Sequence, residues 1–294
     1  MPDTKTLRDL LTHAAPVMAP GCYDALSALL VEQAGFPCAY VSGANIAYTK
    51  LGRPDLGLVS MREVADTITT IRDRVDLPLV VDADTGFGNA LNVQRTVRLF
   101  ERAGASAIQL EDQVTPKKCG HLEGKALVTE AEMIGKIKAA VDARRSGETL
   151  IVARTDAIAV EGIDAALDRA AVYAQAGADM LFVEAPQSLD QMQQITVRFK
   201  HGPPLMVNMV EGGLTPVKTA AELGSLGFAL VIFPGTLMRA YAFMAQSLLA
   251  HLKEHGSTRD WADRMVDFKG LNDIIGLPEM MEADKRYGGE KSDK

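Results

Sequence analysis

The chain has 294 residues, 47% of them hydrophobic, enough to bury one substantial core or two small ones, so pattern must decide the domain count. A formal net charge of −7 without a long basic run excludes a protein that grips nucleic acid through a broad electrostatic surface. Cys22, Cys38 and Cys119 lie far apart without CxxC spacing, which excludes a disulfide framework and fits a reducing compartment.

The opening, "MPDTKTLRDLLTHAAP", is too polar for a secretory signal, and no apolar run reaches the roughly 18 residues of a membrane span. A soluble, cytoplasmic protein with no membrane partner is expected. From there, eight apolar runs of strand length alternate with amphipathic stretches, the signature of a parallel sheet. They are "PVMAPG" (16–21), "CAYVSG" (38–43), "LPLVVDADTG" (77–86), "SAIQLED" (106–112), "TLIVARTDA" (149–157), "DMLFVEA" (179–185), "PLMVNMVEG" (204–212) and "FALVIFPGT" (228–236). Helical patterns lie between them at 24–35, 62–75, 92–104, 129–144, 163–177 and 188–199. Asp24 is the expected N-cap of the first, and Gly35, Gly104 and Gly177 are the expected stops.

Six of the eight runs end in groups that an apolar core would reject: Ser42; Asp82 and Asp84; Glu111 and Asp112; Arg154 and Asp156; Glu184; Asn208 and Glu211. A closed barrel gathers its active site at the C-terminal ends of its strands, whereas an open sheet would scatter these residues. The fold predicted is α/β, a single (β/α)8 TIM barrel over about 16–256, with an open doubly wound sheet as the alternative. Beyond the eighth strand the chain has more helix than one barrel unit requires, at 237–254 and about 259–285. The second carries Trp261, Met265, Phe268, Leu271 or Asn272, and Ile275 at spacings of three and four. That stripe needs cover, either from its own barrel or from a neighbouring subunit. We read 257–287 as a helical extension for oligomer contacts and the polar end, "GGEKSDK" (288–294), as a disordered tail.

The chemistry-bearing residues follow in chain order. "YVSGAN" offers Tyr40, Ser42 and the backbone N–H groups around Gly43 and Ala44 as anion donors, unless it is an ordinary strand-to-loop turn. Asp55 in "GRPDLG" has the proline and glycine setting of a turn former. Asp82 and Asp84 lie two apart at a strand end and so face one side, where two carboxylates repel unless a cation sits between them. Mg2+ is the natural occupant, with Mn2+ as the alternative, because it accepts one or two carboxylates and fills its other positions with water and substrate oxygens. Helix capping by one aspartate and solvation of the other is the competing reading. Glu111 ends the next strand, where it can hold a metal-bound water.

"PKKCGHLEGK" (116–125) sets a thiol among cations and glycines. A packing cysteine prefers apolar neighbours, and Cys119 with His121 makes a poor zinc site without a second pair. A mobile acid is the third reading: Gly120 and Gly124 let the loop bend and carry Cys119 over the metal, while Lys117, Lys118 and His121 steer an anionic substrate and lower the thiol pKa. A proton donor must stay a thiol, so that lowering needs an opponent. Arg154, emerging from an apolar strand, fits a substrate carboxylate with its planar fork, or a structural salt bridge to Glu184 or Asp156.

Together, "YDALSA", "YVSGANIA", "LGRPDLG", "VDADTGFGN", "LEDQV", "KKCGH", "ARTDA", "FVEA", "NMVEGGLTP" and "FKGLNDIIGL" resemble the isocitrate lyase and phosphoenolpyruvate mutase superfamily, in the branch of 2-methylisocitrate and 2,3-dimethylmalate lyases. The resemblance covers nearly the whole chain. It implies a (β/α)8 barrel, Mg2+, and carbon–carbon cleavage of a 2-hydroxy di- or tricarboxylate to pyruvate or a related 2-oxo acid. It also implies a homotetramer, a dimer of dimers that exchange the eighth barrel helix. By the same resemblance Asp82 and Asp84 bind the metal, with Asp55 and Glu111 acting through water. Tyr40, Ser42, Gly43, Ala44, Lys118, Gly120, Arg154, Glu184 and Asn208 line the substrate, and Cys119 is the general acid, with Lys117, His121 and Glu111 beside it.

Two departures bear on the substrate. Ala44 replaces the last glycine of a family "SGG". "FKGLNDIIGL" resembles the dimethylmalate branch, with Phe268 and Lys269 near the place of a methylisocitrate arginine, whereas Arg239 in "GTLMRA" resembles the methylisocitrate branch and would serve an extra carboxylate. The rivals are oxaloacetate decarboxylation, which "GNALNVQRTV" resembles, and chemistry at a carbon–phosphorus bond; a non-catalytic binding barrel is the rival from another class. On chemistry alone, the glycines of "EGG" and "FPGT" also suit a barrel phosphate site.

Overall fold

A computed structural model describes residues 5–288. Eight strands, β1 (Val17–Cys22), β2 (Ala39–Val41), β3 (Leu79–Asp82), β4 (Ala107–Glu111), β5 (Leu150–Thr155), β6 (Met180–Val183), β7 (Leu205–Asn208) and β8 (Leu230–Phe233), run parallel in chain order and close on themselves through β1 and β8. This is the expected (β/α)8 barrel. Six of the strands, β2 to β7, are buried at every residue, because helices cover the outside while side chains fill the inside, and so they read as unbroken apolar runs. Val17, Ala19, Val80, Ala107, Leu150, Val152, Met180, Phe182, Met206, Leu230 and Ile232 pack into one cluster that also takes Leu7 and Leu10 of the short helix Leu7–Leu10. That helix, capped by Thr6, plugs the N-terminal floor of the barrel.

The interstrand helices match their sequence patterns and show why each starts and stops. Asp24 accepts from Ser27 N to cap Ala25–Gln33, Asn89 caps Ala90–Ala103, and Gly104 ends that helix at φ 105°, where a side chain would be strained. Three short segments at the C-terminal ends of strands escaped the periodicity: the helix Gly43–Ile46, the π-helical Ala47–Leu51 that continues it, and Ile158–Glu161.

The chain forms two compact units, one through Met238 and one from Arg239. In the second, the helix expected over 259–285 is three pieces: a 3-10 turn Arg259–Arg264 and the helices Phe268–Ile274 and Leu277–Tyr287. Asp267 begins a new helix by accepting from Gly270 N at 2.6 Å, and Gly276 at φ 86° with Pro278 behind it begins another. The apolar stripe is therefore divided. Trp261 is buried, its ring 5.2 Å from His251 and 4.7 Å from the Arg264 guanidinium, whereas Phe268 is 87% exposed. From residue 289 on, the expected tail lies outside the described residues. Among the described residues, no helix is long and apolar enough to cross a membrane.

Candidate active site

The strand ends place the polar residues as the barrel requires. Asp82 closes β3, and Asp84 lies two residues on in the left-handed region at φ 47°, with its own N–H donating to Asp82 Oδ1 at 3.1 Å. Gln109, buried on β4, donates to the same oxygen at 3.2 Å and accepts from Tyr40 Oη at 3.1 Å, so a chain of hydrogen bonds orients Asp82 from below. Burial first, and then the neighbouring Asp82, push the Tyr40 phenol well above its ordinary range, so it remains a donor. A Cβ on Gly43 would lie 3.3 Å from Asp82 Oδ2 and 3.4 Å from Asp84 Oδ1. The Ser42–Ala44 turn thus rests against the carboxylate pair, while Ser42 Oγ caps the following helix by accepting from Asn45 N.

Lys117 is not a surface steering charge. Its ammonium is buried, 2.6 Å from Asp55 Oδ1 and 2.8 Å from Asp84 Oδ1. Burial alone would lower its pKa, but Asp84, Glu111, Asp82 and Asp55 hold it well above the usual value. Asp55 is correspondingly buried and does more than form a turn. Asp84 is pushed up to about 6, by burial first and then by Asp82 and Asp55 against the pull of Lys117. Burial likewise raises Glu111 well above the carboxylate range, and neither of its oxygens has a hydrogen-bond partner, although Arg154 Nη1 lies 3.3 Å from Oε2.

Four buried carboxylates against one lysine and a shared arginine leave an excess of negative charge that a hard divalent cation would relieve. Among the described residues, no three His, Cys, Asp or Glu side chains converge as a ready metal cage. The adjacent Asp82 and Asp84 suit a cation that takes one or two carboxylates and completes its sphere with water and substrate oxygens, the habit of Mg2+. The donor set fits such an ion.

Of the two roles the sequence left open for Arg154, the salt bridge is formed, to Asp156. Asp156 takes its Nε at 2.9 Å and its Nη2 at 3.0 Å, fixing the plane of the fork, and Phe182 packs 5.4 Å from its charged centre. Glu184 Oε1 accepts from Asn208 Nδ2 at 3.2 Å and lies 3.4 Å from His121 Nε2. Glu184 Oε2 and Asn208 Oδ1 are buried without partners, so the mouth retains unused acceptors.

The Lys117–Lys125 loop covers this group. Cys119 is half-buried, and burial, ahead of every neighbouring charge, raises its pKa above the ordinary thiol value, so at neutral pH it carries its proton. The lysines do not lower it as the sequence suggested, because Lys117 is committed to Asp55 and Asp84, while Lys118 Nζ donates to Glu123 O at 3.3 Å and Gly124 O at 2.9 Å. Lys118 thus holds the loop's own carbonyls. His121 Nδ1 accepts from Leu214 N at 3.2 Å, which leaves the ring proton on Nε2 toward Glu184, and burial lowers the imidazole pKa to keep it neutral. A Cβ on Gly120 would lie 2.5 Å from Arg154 Nη2, and one on Gly213 would lie 2.9 Å from the His121 ring, so both glycines are required by close approach. Arg239, expected to serve an extra carboxylate, belongs to the second unit, on the helix Thr236–His255. Sequence reasoning missed Gln109 and Lys125; the strand alternation that places Gln109 two before Glu111 was the available signal.

Comparison with known proteins adds to this geometry. A family model described as phosphoenolpyruvate phosphomutase matches residues 7–253. The chain is 42% identical to 2,3-dimethylmalate lyase of Eubacterium barkeri, over 96% of each chain. It is 46% identical to 2-methylisocitrate lyase of Aeropyrum pernix, over 95% of this chain and 89% of that one. The solved structure of a phosphonopyruvate hydrolase complex with oxalate and Mg++ superposes with a TM-score of 0.88 at 30% identity, covering 98% of this chain and 99% of that one.

Proposed function

The chain belongs to the phosphoenolpyruvate mutase and isocitrate lyase superfamily, and from that membership we propose that it is a Mg2+-dependent carbon–carbon lyase. Its substrate is a 2-hydroxy di- or tricarboxylate of the 2,3-dimethylmalate, 2-alkylmalate or 2-methylisocitrate type, cleaved to pyruvate or a related 2-oxo acid. The observation that carries the reading is a half-buried Cys119 on a glycine-flanked loop whose Lys117 pairs with Asp84 and whose Gly120 packs against Arg154 and Glu184.

In this reading Asp82 and Asp84 hold the metal, with Asp55 and Glu111 acting through its water. When bound, the ion makes the 2-hydroxyl easier to deprotonate and stabilises the developing oxo group. Arg154, held flat by Asp156 along its Nε–Nη2 edge, offers its remaining Nη protons to a substrate carboxylate. The backbone N–H groups of Gly43 and Ala44, with Tyr40, Ser42, Glu184 and Asn208, line the remaining oxygens. As the 2-hydroxyl passes its proton to a carboxylate at the mouth, its electrons form the new C=O and the adjacent carbon–carbon bond breaks. The released pair settles on the carbon next to the departing carboxylate, which the Cys119 S–H then protonates. The raised pKa suits this role, because a thiol that had ionised would have nothing to give. Closure of the loop keeps water from competing for that carbanion.

A dicarboxylate of the 2-alkylmalate type is favoured by "FKGLNDIIGL"; a third carboxylate would draw on Arg239. Three free thiols suit a reducing, cytoplasmic compartment. The exposed apolar residues of the second unit, Tyr241, Phe243, Phe268 and Met280 among them, suit a homotetramer built from helix-swapped dimers. The test is 2-oxo acid release from 2,3-dimethylmalate, 2-methylisocitrate, isocitrate, oxaloacetate and phosphonopyruvate, with and without EDTA. Cleavage of one of the first three that EDTA abolishes is expected. Turnover restricted to oxaloacetate or phosphonopyruvate, or turnover that survives EDTA, would overturn the reading.

A further inference from the structure

The loop that carries Cys119 holds two internal lysine staples, and they differ in where they end. Lys118 reaches only carbonyls of the loop itself. Lys125 also reaches outside it: its fully buried ammonium donates to Gly120 O within the loop and to Asp156 Oδ1, at 3.2 Å, just past β5. Asp156 Oδ1 is the same oxygen that accepts from Arg154 Nη2 at 3.0 Å. One carboxylate oxygen therefore joins the loop to the guanidinium that faces the substrate.

Asp156 is a firm anchor. Its backbone N–H donates to Asp112 Oδ1 at 2.9 Å, and Asp112 Oδ2 accepts from Thr155 Oγ1 at 2.7 Å and from Tyr173 Oη at 2.9 Å, with Arg169 Nη1 3.6 Å away. Tying the loop to this network is a charge-assisted, water-free contact. Ahead of Cys119 the loop is rooted by Lys117 on Asp55 and Asp84 and by Lys118 on Gln113, whereas beyond it the hydrogen bond from Leu214 N to His121 Nδ1 is neutral and exposed. Beyond Lys125 and His121 lies a cavity of about 570 Å³, bordered also by Val160 and Leu214, so the loop has room to swing away once released. With the loop open, Lys125 would lose the Gly120 carbonyl and Asp156 would keep Arg154 alone.

We propose that Lys125 latches the Cys119 loop over the barrel mouth through Gly120 O and Asp156, a positioning residue that touches no reacting atom and delivers the proton donor in register with Arg154. The proposal rests on the lyase reading for its catalytic arm only. The loop arm is measured on the full-length protein without substrate: the rate at which iodoacetamide alkylates Cys119, located by mass spectrometry against the buried Cys22 and Cys38. Lys125→Met should raise that rate by about tenfold or more, Lys125→Gln, which can still reach the carbonyl, by less, and Lys125→Arg should stay within about threefold of the unsubstituted protein.

With Mg2+ and the cleaved substrate, Lys125→Met should lower kcat by about 100-fold while KM changes less than about threefold, since Arg154 and the metal carboxylates remain. Lys125→Arg should restore most of kcat. If Lys125→Met does not fold, Lys125→Gln and Lys125→Arg still bracket the effect. Alkylation within twofold of the unsubstituted protein in every folded variant overturns the latch, even where the lyase activity is present. Faster alkylation in a protein that cleaves none of the substrates upholds the latch and removes the lyase reading.

Discussion

The two ends of the barrel solve opposite problems with the same kinds of residue. At the floor, Asp179 accepts from Arg8 Nη2 at 3.1 Å, from Ile151 N at 2.9 Å and from Arg144, while Glu101 accepts from Arg145 N, Ser146 N and Thr149 Oγ1 at 2.9 to 3.0 Å. Each of these carboxylates meets donors at both oxygens, and Leu7 and Leu10 fill the space above them. At the mouth, Glu111, His121, Glu184, Asn208 and Thr215 all have buried side-chain atoms without a hydrogen-bond partner, and apart from Asp84 Oδ1, which meets the Lys117 ammonium, no such side-chain atom lies elsewhere among the described residues. Buried polar atoms are normally satisfied, because an unmet one costs about 1–3 kcal/mol. Their confinement to one end separates the part of the barrel that holds it folded from the part that waits for a ligand.

That division can be tested in descending order of effect. Cys119→Ser should lower kcat by about 10³-fold, about 4 kcal/mol in the barrier, with no loss of thermal stability, because a serine hydroxyl is too weak an acid for the role. Full activity in this variant would remove Cys119 from the chemistry. Leu7→Ala, at the floor, should do the reverse: about 3 kcal/mol less stability in denaturant unfolding and kcat within twofold. A large loss of kcat there would mean that the floor is not independent of the mouth.

Metal affinity offers a third test. Asp84 must give up its proton to bind a cation, and its folded pKa of about 6 stands above the ordinary 3.8. Mg2+ affinity measured by calorimetry should weaken about tenfold per pH unit below 6 and level off above it. For the metal-free protein the sign is opposite. A folded pKa that is raised stabilises most below the unfolded value and loses that contribution as pH climbs through 6, so Mg2+ should raise Tm most above pH 6. The smallest effect is expected from Glu111→Gln: since burial raises the Glu111 pKa, a neutral isostere at pH 8 should leave stability unchanged or increase it by up to about 1 kcal/mol, while activity falls. A clear destabilisation would place Glu111 with the floor residues instead.

The contrast also explains what the sequence made legible. Eight parallel strands, six of them buried at every residue, read as eight apolar runs, and charges at their ends had no place except the mouth. Asp82, Asp84, Arg154 and Cys119 stood out as candidates from local spacing. Partnership did not. Lys117 and Asp55 are 62 residues apart, and a lysine in a polar loop looks exposed until the fold brings carboxylates around it. Lys125 and Asp156 pair across 31 residues for the same reason. At 259–285 the three-and-four spacing was real, but Asp267 and Gly276 cut the helix, since local capping overrides periodicity.

The left-handed backbone at Asp84 narrows what that position can become. Asparagine and glycine tolerate a φ of 47° but carry no charge, whereas glutamate carries the charge on a backbone that resists that turn. Asp82, two residues earlier on an ordinary strand, has no such conflict. In a saturation library, position 84 should return a single letter, and position 82 should be the one where adaptation can experiment with reach.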